Sequence, residues 1–439
     1  MSFIILIAGI ILLILLITWG KLNAFIAFLI VCILLGLFQG MSATAVVHSI
    51  EKGIGNIMGS LVVIIGLGAM LGKLVAESGA AIRISSGLIK LFGRNYLQWA
   101  LLLTAFIVGI PLFYGVGFVL LVPLIFSVAA RYNIPSVYIG LPALAALSVT
   151  HGYLPPHPSP VALVQQFHAN MGITLLYGFM IAVPAIILAG PVYATTLKNF
   201  KSKPLDIFVP AEVPEDKLPG MLSSMMAAFL PVLLIAASSI VSFITPAINP
   251  VTRFIHTVGD PSLAMLISLL IATFTLGISK GKTMAQVMIT YNDAVKDIVM
   301  ILLIIGGAGA LNQVLTDTGL NKAIVQNLNH TNIHPLLLAW SISAIIRVCL
   351  GSATVAGLTT AGIVAPLITT TGVDPNLMVL ATGAGSLMFS HVNDTGFWMF
   401  KEYFNLSFKQ TIRTWSLMET IVSIVGLAGV FIIHYFISN

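Results

Sequence analysis

Residues 97–130 read LQWALLLTAFIVGIPLFYGVGFVLLVPLIFSVAA, a run of 34 residues without a charged side chain. A second run of the same length, residues 335–368, reads PLLLAWSISAIIRVCLGSATVAGLTTAGIVAPLI and holds one arginine. A continuous helix of this length would measure about 51 Å, whereas the hydrocarbon core of a bilayer is only about 30 Å thick. We therefore expect each run to fold back on itself as a re-entrant hairpin inside a membrane.

The composition of the whole chain is that of a polytopic helical membrane protein. Of its 439 residues, 58% are hydrophobic and 8% are charged, and the mean hydropathy is +1.05. A soluble domain carries about 25% charged residues. These values exclude a soluble enzyme, a nucleic-acid binder, a disulfide scaffold and a disordered chain. The apolar runs are continuous rather than alternating, which excludes a porin.

Twelve apolar segments divide six and six around a polar connector at residues 198–220. The two halves match when one is shifted by about 240 positions. The matched positions include Glu77 with Asp317, Pro135 with Pro375, and His151 with His391. We therefore predict two transmembrane repeats, residues 1–197 and residues 221–439, joined by a cytoplasmic connector.

The distribution of basic residues indicates that the two repeats have opposite orientations. Residues 78–96 hold three lysines and arginines, whereas the matching residues 318–334 hold one. Residues 280–296 hold three, whereas the matching residues 40–56 hold one. Cytoplasmic loops are the ones enriched in lysine and arginine. The sequence thus predicts an inverted-repeat transporter fold, with five spanning helices and one re-entrant hairpin in each half.

The predicted hairpin tips are the first candidates for a binding site. They read GIPLFYGVG at residues 109–117 and GSATVAG at residues 351–357. Hydroxyls and free backbone amides, as near Ser352 and Thr354, can hold an anion, although small residues also serve close helix packing. Arg347 precedes the second tip and is the one arginine well inside an apolar run. Such a charge predicts anion binding or gating, with snorkelling or a structural ion pair as the alternatives.

Two broken helices are the second candidates. Residues 148–158, SVTHGYLPPHP, contain prolines that a regular helix cannot accommodate, and residues 390–396, SHVNDTG, place several polar side chains near the end of an apolar run. A polar loop at the membrane edge is the alternative. We predict that the substrate-binding residues are Tyr114, Thr150, His151, Arg347, Ser352, Thr354, His391 and Asn393. We predict Asp394 as the proton carrier, assisted by His391 and His151, and we expect no metal.

These strings resemble the gluconate permease family of proton symporters, a branch of the ion-transporter superfamily. The resemblance covers essentially the whole chain, and its most specific parts are residues 146–158, residues 390–394 and residues 396–404, GFWMFKEYF. It implies uptake of gluconate or a close sugar acid across a bacterial inner membrane, coupled to protons and without a cofactor. It also implies a glutamate, and hence a possible proton carrier, where this chain has Gly115.

Other functions remain as alternatives. An intramembrane hydrolase would need a nucleophile with a base or a metal, and a channel would need rings of polar residues along a pore. The rival within transporters is a sodium-coupled carboxylate carrier. The substrate could also be glycerate, a hexuronate or a hydroxylated amino acid such as serine. We expect a small sugar acid and the lipid bilayer as partners and no nucleic acid, and we leave a homodimer open.

Overall fold

The computed structural model describes residues 2–112, 114–198, 200, 218–244, 249–320, 333–391 and 394–438. Over these ranges the chain is helical and contains no β-strand. Asn393 and most of the polar connector lie outside the described residues. Of the described helices, seven are long and apolar enough to cross a membrane, or nine if each of two bent pairs counts as one span. Ala24–Phe38 and Pro335–Leu350 are shorter apolar helices.

The first half contains nine helices within its described residues. They are α1 (Ser2–Thr18), α2 (Ala24–Phe38), α3 (Ala43–Glu77), α4 (Ala80–Phe92), α5 (Leu97–Gly109), α6 (Tyr114–Tyr132), α7 (Ser136–Tyr153), α8 (Pro158–Gln166) and α9 (Met171–Ile187). α9 continues into a π-helical turn at Leu188–Val192. The basic segment between the third and fourth apolar runs was expected to be a loop. It forms α4, an amphipathic helix that buries Ile84 and Leu88.

The second half shows a similar order of elements. They are α10 (Met221–Ile244), α11 (Pro250–Val258), α12 (Pro261–Ala272), α13 (Met284–Asp317), α14 (Pro335–Leu350), α15 (Ala353–Thr371), α16 (Pro375–Gly385), α17 (Thr395–Tyr403), α18 (Phe408–Thr411) and α19 (Leu417–Ser438). A π-helical turn, Ile412–Ser416, joins α18 to α19.

The two longest helices, α3 and α13, pack against each other in antiparallel orientation. The Ser49 hydroxyl near the start of α3 donates to the Asp317 carboxylate at the end of α13, at 2.7 Å. The Thr290 hydroxyl near the start of α13 donates to the Glu77 carboxylate at the end of α3, also at 2.7 Å. Glu77 and Asp317, which are matched positions in the sequence, therefore both end long helices, and each accepts a hydrogen bond from a hydroxyl of the other helix.

Close approach of the two backbones requires glycine where α3 and α13 cross. A Cβ on Gly309 would lie 2.7 Å from the carbonyl oxygen of Gly53, and a Cβ on Gly53 would meet the carbonyl oxygen of Gly309. Real Cβ atoms essentially never approach backbone so closely, so a larger residue at either position would push the helices apart. This crossing is the most extensive of the contacts between the two halves of the chain.

Both 34-residue apolar runs are interrupted, as their length required. In the first run, α5 ends at Gly109 and the next helix, α6, begins at Tyr114. In the second run, α14 ends at Leu350, the chain turns at Gly351 with φ +78°, and α15 begins at Ala353. The tips are shorter than predicted because residues 114–117 and 353–357 are already helical. The backbone amides that were predicted to be free for anion binding therefore belong to the N-terminal turns of α6 and α15.

The two predicted broken helices are also broken in the structure. α7 ends at Tyr153 and α8 begins at Pro158, after the Pro155-Pro156 pair. α16 ends at Gly385, and α17 begins at Thr395. The buried His157 side chain lies 2.7 Å from the carbonyl oxygen of Gly109, to which its Nε2–H donates. The first break is thus fixed to the end of α5, beside the interruption of the first long run.

Candidate functional site

A cavity of about 180 Å³ lies between the second interrupted run and the broken helices. Its walls come from α6, α7, α14, α15, α17 and the start of α19. The lining includes Tyr114, Ser148, His151, Arg347, Ser352, Thr354, Asp394, Trp415 and Glu419. Both halves of the chain therefore contribute side chains to one polar cavity, and most of its residues come from points where helices begin, end or break.

Arg347 is held at this cavity by an ion pair. Its side chain is only 4% exposed, and its Nη2 lies 2.5 Å from Oδ2 of Asp394. Its Nη1 donates to the carbonyl oxygen of Gly351. Arg347 is therefore enclosed by the protein and paired with Asp394, rather than extended to the protein surface. A buried ion pair is retained only when its geometry repays the desolvation of both charges.

A chain of hydrogen bonds fixes Asp394 in turn. The Ser390 hydroxyl and the backbone amide of Gly396 both donate to its carboxylate, the latter at 3.0 Å. The indole Nε1–H of buried Trp415 donates to the Ser390 hydroxyl at 2.7 Å. Trp415 lies in the π-helical turn before α19, and such turns often occur at functional sites. Asp394 thus accepts three donors and orients the guanidinium of Arg347.

Four buried polar atoms on cavity-lining side chains have no hydrogen-bond partner in the described part of the chain. They are the hydroxyl oxygen of Tyr114, Nδ1 of His151, Nε of Arg347 and Oε2 of Glu419. A buried polar group without a partner costs about 1–3 kcal/mol, more when it is charged. Three donor-capable atoms and one carboxyl oxygen therefore surround a small space that a polar ligand can fill.

Aromatic rings close one side of the cavity. The Tyr114 ring centroid lies 5.8 Å from that of His151 and 6.0 Å from that of Trp415. The His151 ring packs edge-on against His157 at 5.3 Å. Such rings offer an amphipathic wall against which the carbon chain of a hydroxylated substrate can lie.

The structure brings six of the nine predicted site residues to this cavity. They are Tyr114, His151, Arg347, Ser352, Thr354 and Asp394. Thr150 and His391 do not line the cavity. The Thr150 hydroxyl instead donates to the carbonyl oxygen of Leu147, at 2.8 Å. His391 Nε2 lies 2.8 Å from the carbonyl oxygen of Val348. Asn393 is not among the described residues.

Sequence reasoning missed Glu419, Ser148 and Trp415. Glu419 is only 2% exposed, and the Ser148 hydroxyl donates to its Oε1. The signal for Glu419 was present, because it is the one acid within the last apolar segment, as Arg347 is the one arginine well inside another. Ser148 and Trp415 offered no such signal, because serine and tryptophan are ordinary in apolar helices.

Gly115 lies on a different cavity. This second space, about 680 Å³, is lined by α3, α6 and α13 and includes Lys73, Glu77 and Asp297. Lys73 Nζ pairs with the Asp297 carboxylate at 2.9 Å, and both side chains are partly exposed. A Cβ added to Gly115 would meet nothing within 4 Å. A glutamate at this position would therefore enter the Lys73 cavity and not the Arg347 cavity.

Gly115→Glu is accordingly expected to be tolerated and to raise the free energy of unfolding slightly. Position 115 lies in the first turn of α6, where glutamate is favoured over glycine by about 0.5–1 kcal/mol. Thermal unfolding in detergent checks this. Gly109→Ala is the matched control and should lower the midpoint, because its Cβ would lie 2.7 Å from the Thr150 hydroxyl. An equal drop in the unfolding midpoints of Gly115→Glu and Gly109→Ala would contradict the assignment of open space at position 115.

The chain is similar to known proteins over nearly its whole length. The GntP family permease model matches residues 1–436. The chain is 51% identical to the high-affinity gluconate transporter of Escherichia coli strain K12, over 99% of each chain. It is 48% identical to the Gnt-II system L-idonate transporter of the same strain and 44% identical to the gluconate permease of Bacillus subtilis strain 168, each over 99% of both chains.

Solved structures with a similar fold are also transporters. The YdaH transporter of Alcanivorax borkumensis aligns with a TM-score of 0.67 at 15% identity, covering 93% of this chain and 96% of that one. MtrF of Neisseria gonorrhoeae, from a class of antimetabolite efflux pumps, aligns with a TM-score of 0.64 at 15% identity, over 92% and 93%. At this identity the likeness concerns the fold alone.

The family match spans nearly the whole chain, and the relatives above are permeases and transporters rather than enzymes. The apolar helices describe a multi-pass membrane protein, and both halves of the chain line the polar cavity beside Arg347. The chain therefore belongs to the GntP family of permeases.

Proposed function

We propose that the protein is a secondary transporter that carries gluconate, or a closely related sugar acid, into the bacterial cell across the inner membrane together with a proton. The observation that carries the proposal is the convergence of four unpartnered buried polar atoms, Nε of Arg347 among them, on one small cavity. The printed names of the relatives, gluconate transporters and an L-idonate transporter, give the substrate class.

The cavity offers separate places for the two ends of a sugar acid. The carboxylate would accept hydrogen bonds from Arg347 Nε and from the N-terminal turn of α15, near Ser352 and Thr354. Helix N-termini favour anions because their amides are free and the helix dipole is positive there. The hydroxyls would meet His151 and Tyr114, with Asn393 as a further predicted ligand. A volume of about 180 Å³ suits a small substrate held closely.

Alternating access by two inverted repeats, residues 1–197 and residues 221–439, would expose this cavity to each side in turn. The antiparallel packing of α3 on α13, with its reciprocal hydroxyl–carboxylate contacts, supports this arrangement. Equivalent helices run antiparallel when the axis relating the repeats lies in the membrane plane, and parallel when it lies along the membrane normal. α6 and α15, 19 residues each, would be the second arms of the two predicted re-entrant hairpins.

Proton coupling follows from charge balance in the proposal. Gluconate carries one negative charge, so one proton moving with it makes the step electrically neutral. Such a step responds to a pH gradient and not to voltage, whereas a second proton would add about 2.3 kcal/mol of drive per 100 mV. Asp394, His391 and His151 remain the sequence-based candidates for the carrier. The three donors on Asp394 favour a positioning role for that residue.

Uptake into proteoliposomes tests the proposed function. The purified protein would be given labelled gluconate, L-idonate, glycerate, a hexuronate or serine, under an imposed pH gradient or an imposed sodium gradient. We expect concentrative uptake of a sugar acid when the outside is more acidic. Uptake driven by sodium alone would support the rival carboxylate carrier. No uptake of any sugar acid would contradict the proposal.

Ser352→Ala is expected to weaken gluconate binding by roughly 10–150-fold, the worth of one hydrogen bond to a charged group at about 1.5–3 kcal/mol. Asn393→Ala is expected to act in the same direction. Equilibrium binding to the purified protein measures both effects. Thr369→Ala, an exposed hydroxyl near the other end of α15, is the control. Unchanged affinity in both site variants would remove the start of α15 and the second break from the site.

A further inference from the structure

We infer that Glu419 is the acid whose protonation couples sugar-acid binding to the proton, an inference that rests on the proposed function. Glu419 lines the same cavity as Arg347 and belongs to the last apolar helix, α19. It is 2% exposed, so its carboxyl group exchanges protons with water only through the cavity. Glu419 is not among the site residues that were predicted from the sequence.

The hydrogen bonds of the two cavity acids differ in kind. Asp394 accepts from the Arg347 guanidinium, from the Ser390 hydroxyl and from a backbone amide, so its negative charge is fully compensated. Glu419 accepts one neutral hydroxyl, that of Ser148, and its Oε2 has no partner in the described ranges. A protonated Glu419 would turn Oε2 into a donor aimed at a ligand. Of the two acids, Glu419 is the one free to change its charge.

Charge balance in the cavity makes the coupling specific. Arg347 and Asp394 cancel, so the cavity is neutral when Glu419 is protonated and carries one negative charge when it is ionised. A bound sugar acid would add a second negative charge beside the first, and two carboxylates sharing a small site do not both ionise readily. The anion therefore binds well only to the protonated form, and each bound anion brings one proton with it.

Few other groups around Glu419 can titrate or carry charge. Tyr114, His151, Arg347 and Asp394 line the same cavity as Glu419, and the Tyr153 hydroxyl donates to the carbonyl oxygen of Val422 on α19. Tyr177 on α9 and Arg413 in the π-helical turn lie on packed elements outside the cavity. Tyrosine and arginine ordinarily keep their protons at neutral pH, and Asp394 is paired. His151, whose Nδ1 is unpartnered, is therefore the one rival that the test must separate.

The transport step moves a proton without breaking any bond of the substrate. A proton from the acidic outer side binds a carboxyl oxygen of Glu419, and the anion then enters against Arg347. When the cavity opens to the more alkaline inside, Glu419 releases its proton to water, and the restored negative charge expels the anion. One proton and one sugar-acid anion thus cross in each cycle.

Gluconate binding to the purified full-length protein, measured over a series of pH values, tests this inference. In the wild type, affinity should fall by about tenfold for each pH unit above the point where Glu419 ionises. Glu419→Gln, a mimic of the protonated form, should bind with an affinity that does not change with pH, and should exchange gluconate but not concentrate it. Glu51→Gln, an exposed glutamate on α3, is the matched control and should behave as wild type.

The outcomes separate this inference from the proposed function. A wild type that binds no sugar acid at any pH would contradict the proposed function itself. A pH-dependent wild type with an equally pH-dependent Glu419→Gln would overturn the role of Glu419. Loss of the pH dependence in His151→Gln instead would overturn it in favour of His151. If Glu419→Gln does not fold, Glu419→Asp decides, because a displaced pH profile supports the role and an unchanged profile contradicts it.

Discussion

Arg347→Gln is expected to reduce gluconate affinity by about 100-fold or more. The variant removes the positive charge that would meet the substrate carboxylate, and charge-assisted bonds of this kind contribute about 1.5–3 kcal/mol each. It also leaves the Asp394 carboxylate buried without its partner, which is 2.5 Å away in the wild type. Equilibrium binding and thermal unfolding of the purified protein measure the two effects.

Two further variants make this result interpretable. Arg413→Gln, an exposed arginine in the π-helical turn, is the control and should change neither measurement. Arg347→Lys keeps the charge but loses the planar guanidinium that contacts Gly351 and Asp394 together. It should fold and bind weakly. Full affinity in Arg347→Lys or Arg347→Gln would show that the substrate carboxylate binds elsewhere.

Asp394→Asn is expected to abolish both proton-driven uptake and exchange of gluconate. Removing one partner of a buried ion pair typically costs about 3–5 kcal/mol, because the other charge is left uncompensated. Without Asp394, the Arg347 guanidinium loses the contact that orients it toward the cavity. Uptake and counterflow in proteoliposomes, together with thermal unfolding, measure the effects. The double variant Arg347→Gln with Asp394→Asn should regain stability relative to either single change, since no buried charge is left alone, yet should not bind.

This result separates two roles for Asp394. If Asp394 is the proton carrier, as the sequence predicted, Asp394→Asn should lose uphill uptake but keep exchange. If Asp394 positions Arg347, both activities should disappear together. The pH dependence of binding gives an independent readout. Any residual binding in Asp394→Asn should keep the wild-type pH profile when Glu419 is the titrating group.

Much of the fold was predictable because bilayer thickness constrains helix length. Two apolar runs too long to span once had to be interrupted, and prolines at residues 155–160 had to break a helix. The positions of the tips were less predictable. Residues 114–117 and 353–357 contain glycine and small residues, but a helix can accommodate them when it begins at the break. Local composition indicated that each run is interrupted, but it did not indicate the residue at which the next helix begins.

The candidate site was predictable where a residue stood out from its surroundings or lay at a predicted interruption. Arg347 and Asp394 are charges within apolar runs. Tyr114, Ser352 and Thr354 lie at the predicted tips. The partnership of Ser148 with Glu419 spans 271 positions and has no local signature. His391 and Thr150 were chosen for their residue type and neighbourhood, yet each contacts a backbone carbonyl away from the cavity. Side-chain direction at a helix break is set by tertiary packing, which one sequence does not display.

A structure of the protein bound to gluconate tests the central claim most directly. The cavities of the described residues include one of about 180 Å³ beside Arg347 and one of about 680 Å³ beside Lys73. We predict gluconate density in the smaller cavity, with the carboxylate within hydrogen-bond distance of Arg347 Nε and the hydroxyls toward His151 and Glu419. Gluconate bound beside Lys73 and Asp297, with the Arg347 cavity unoccupied, would contradict the account.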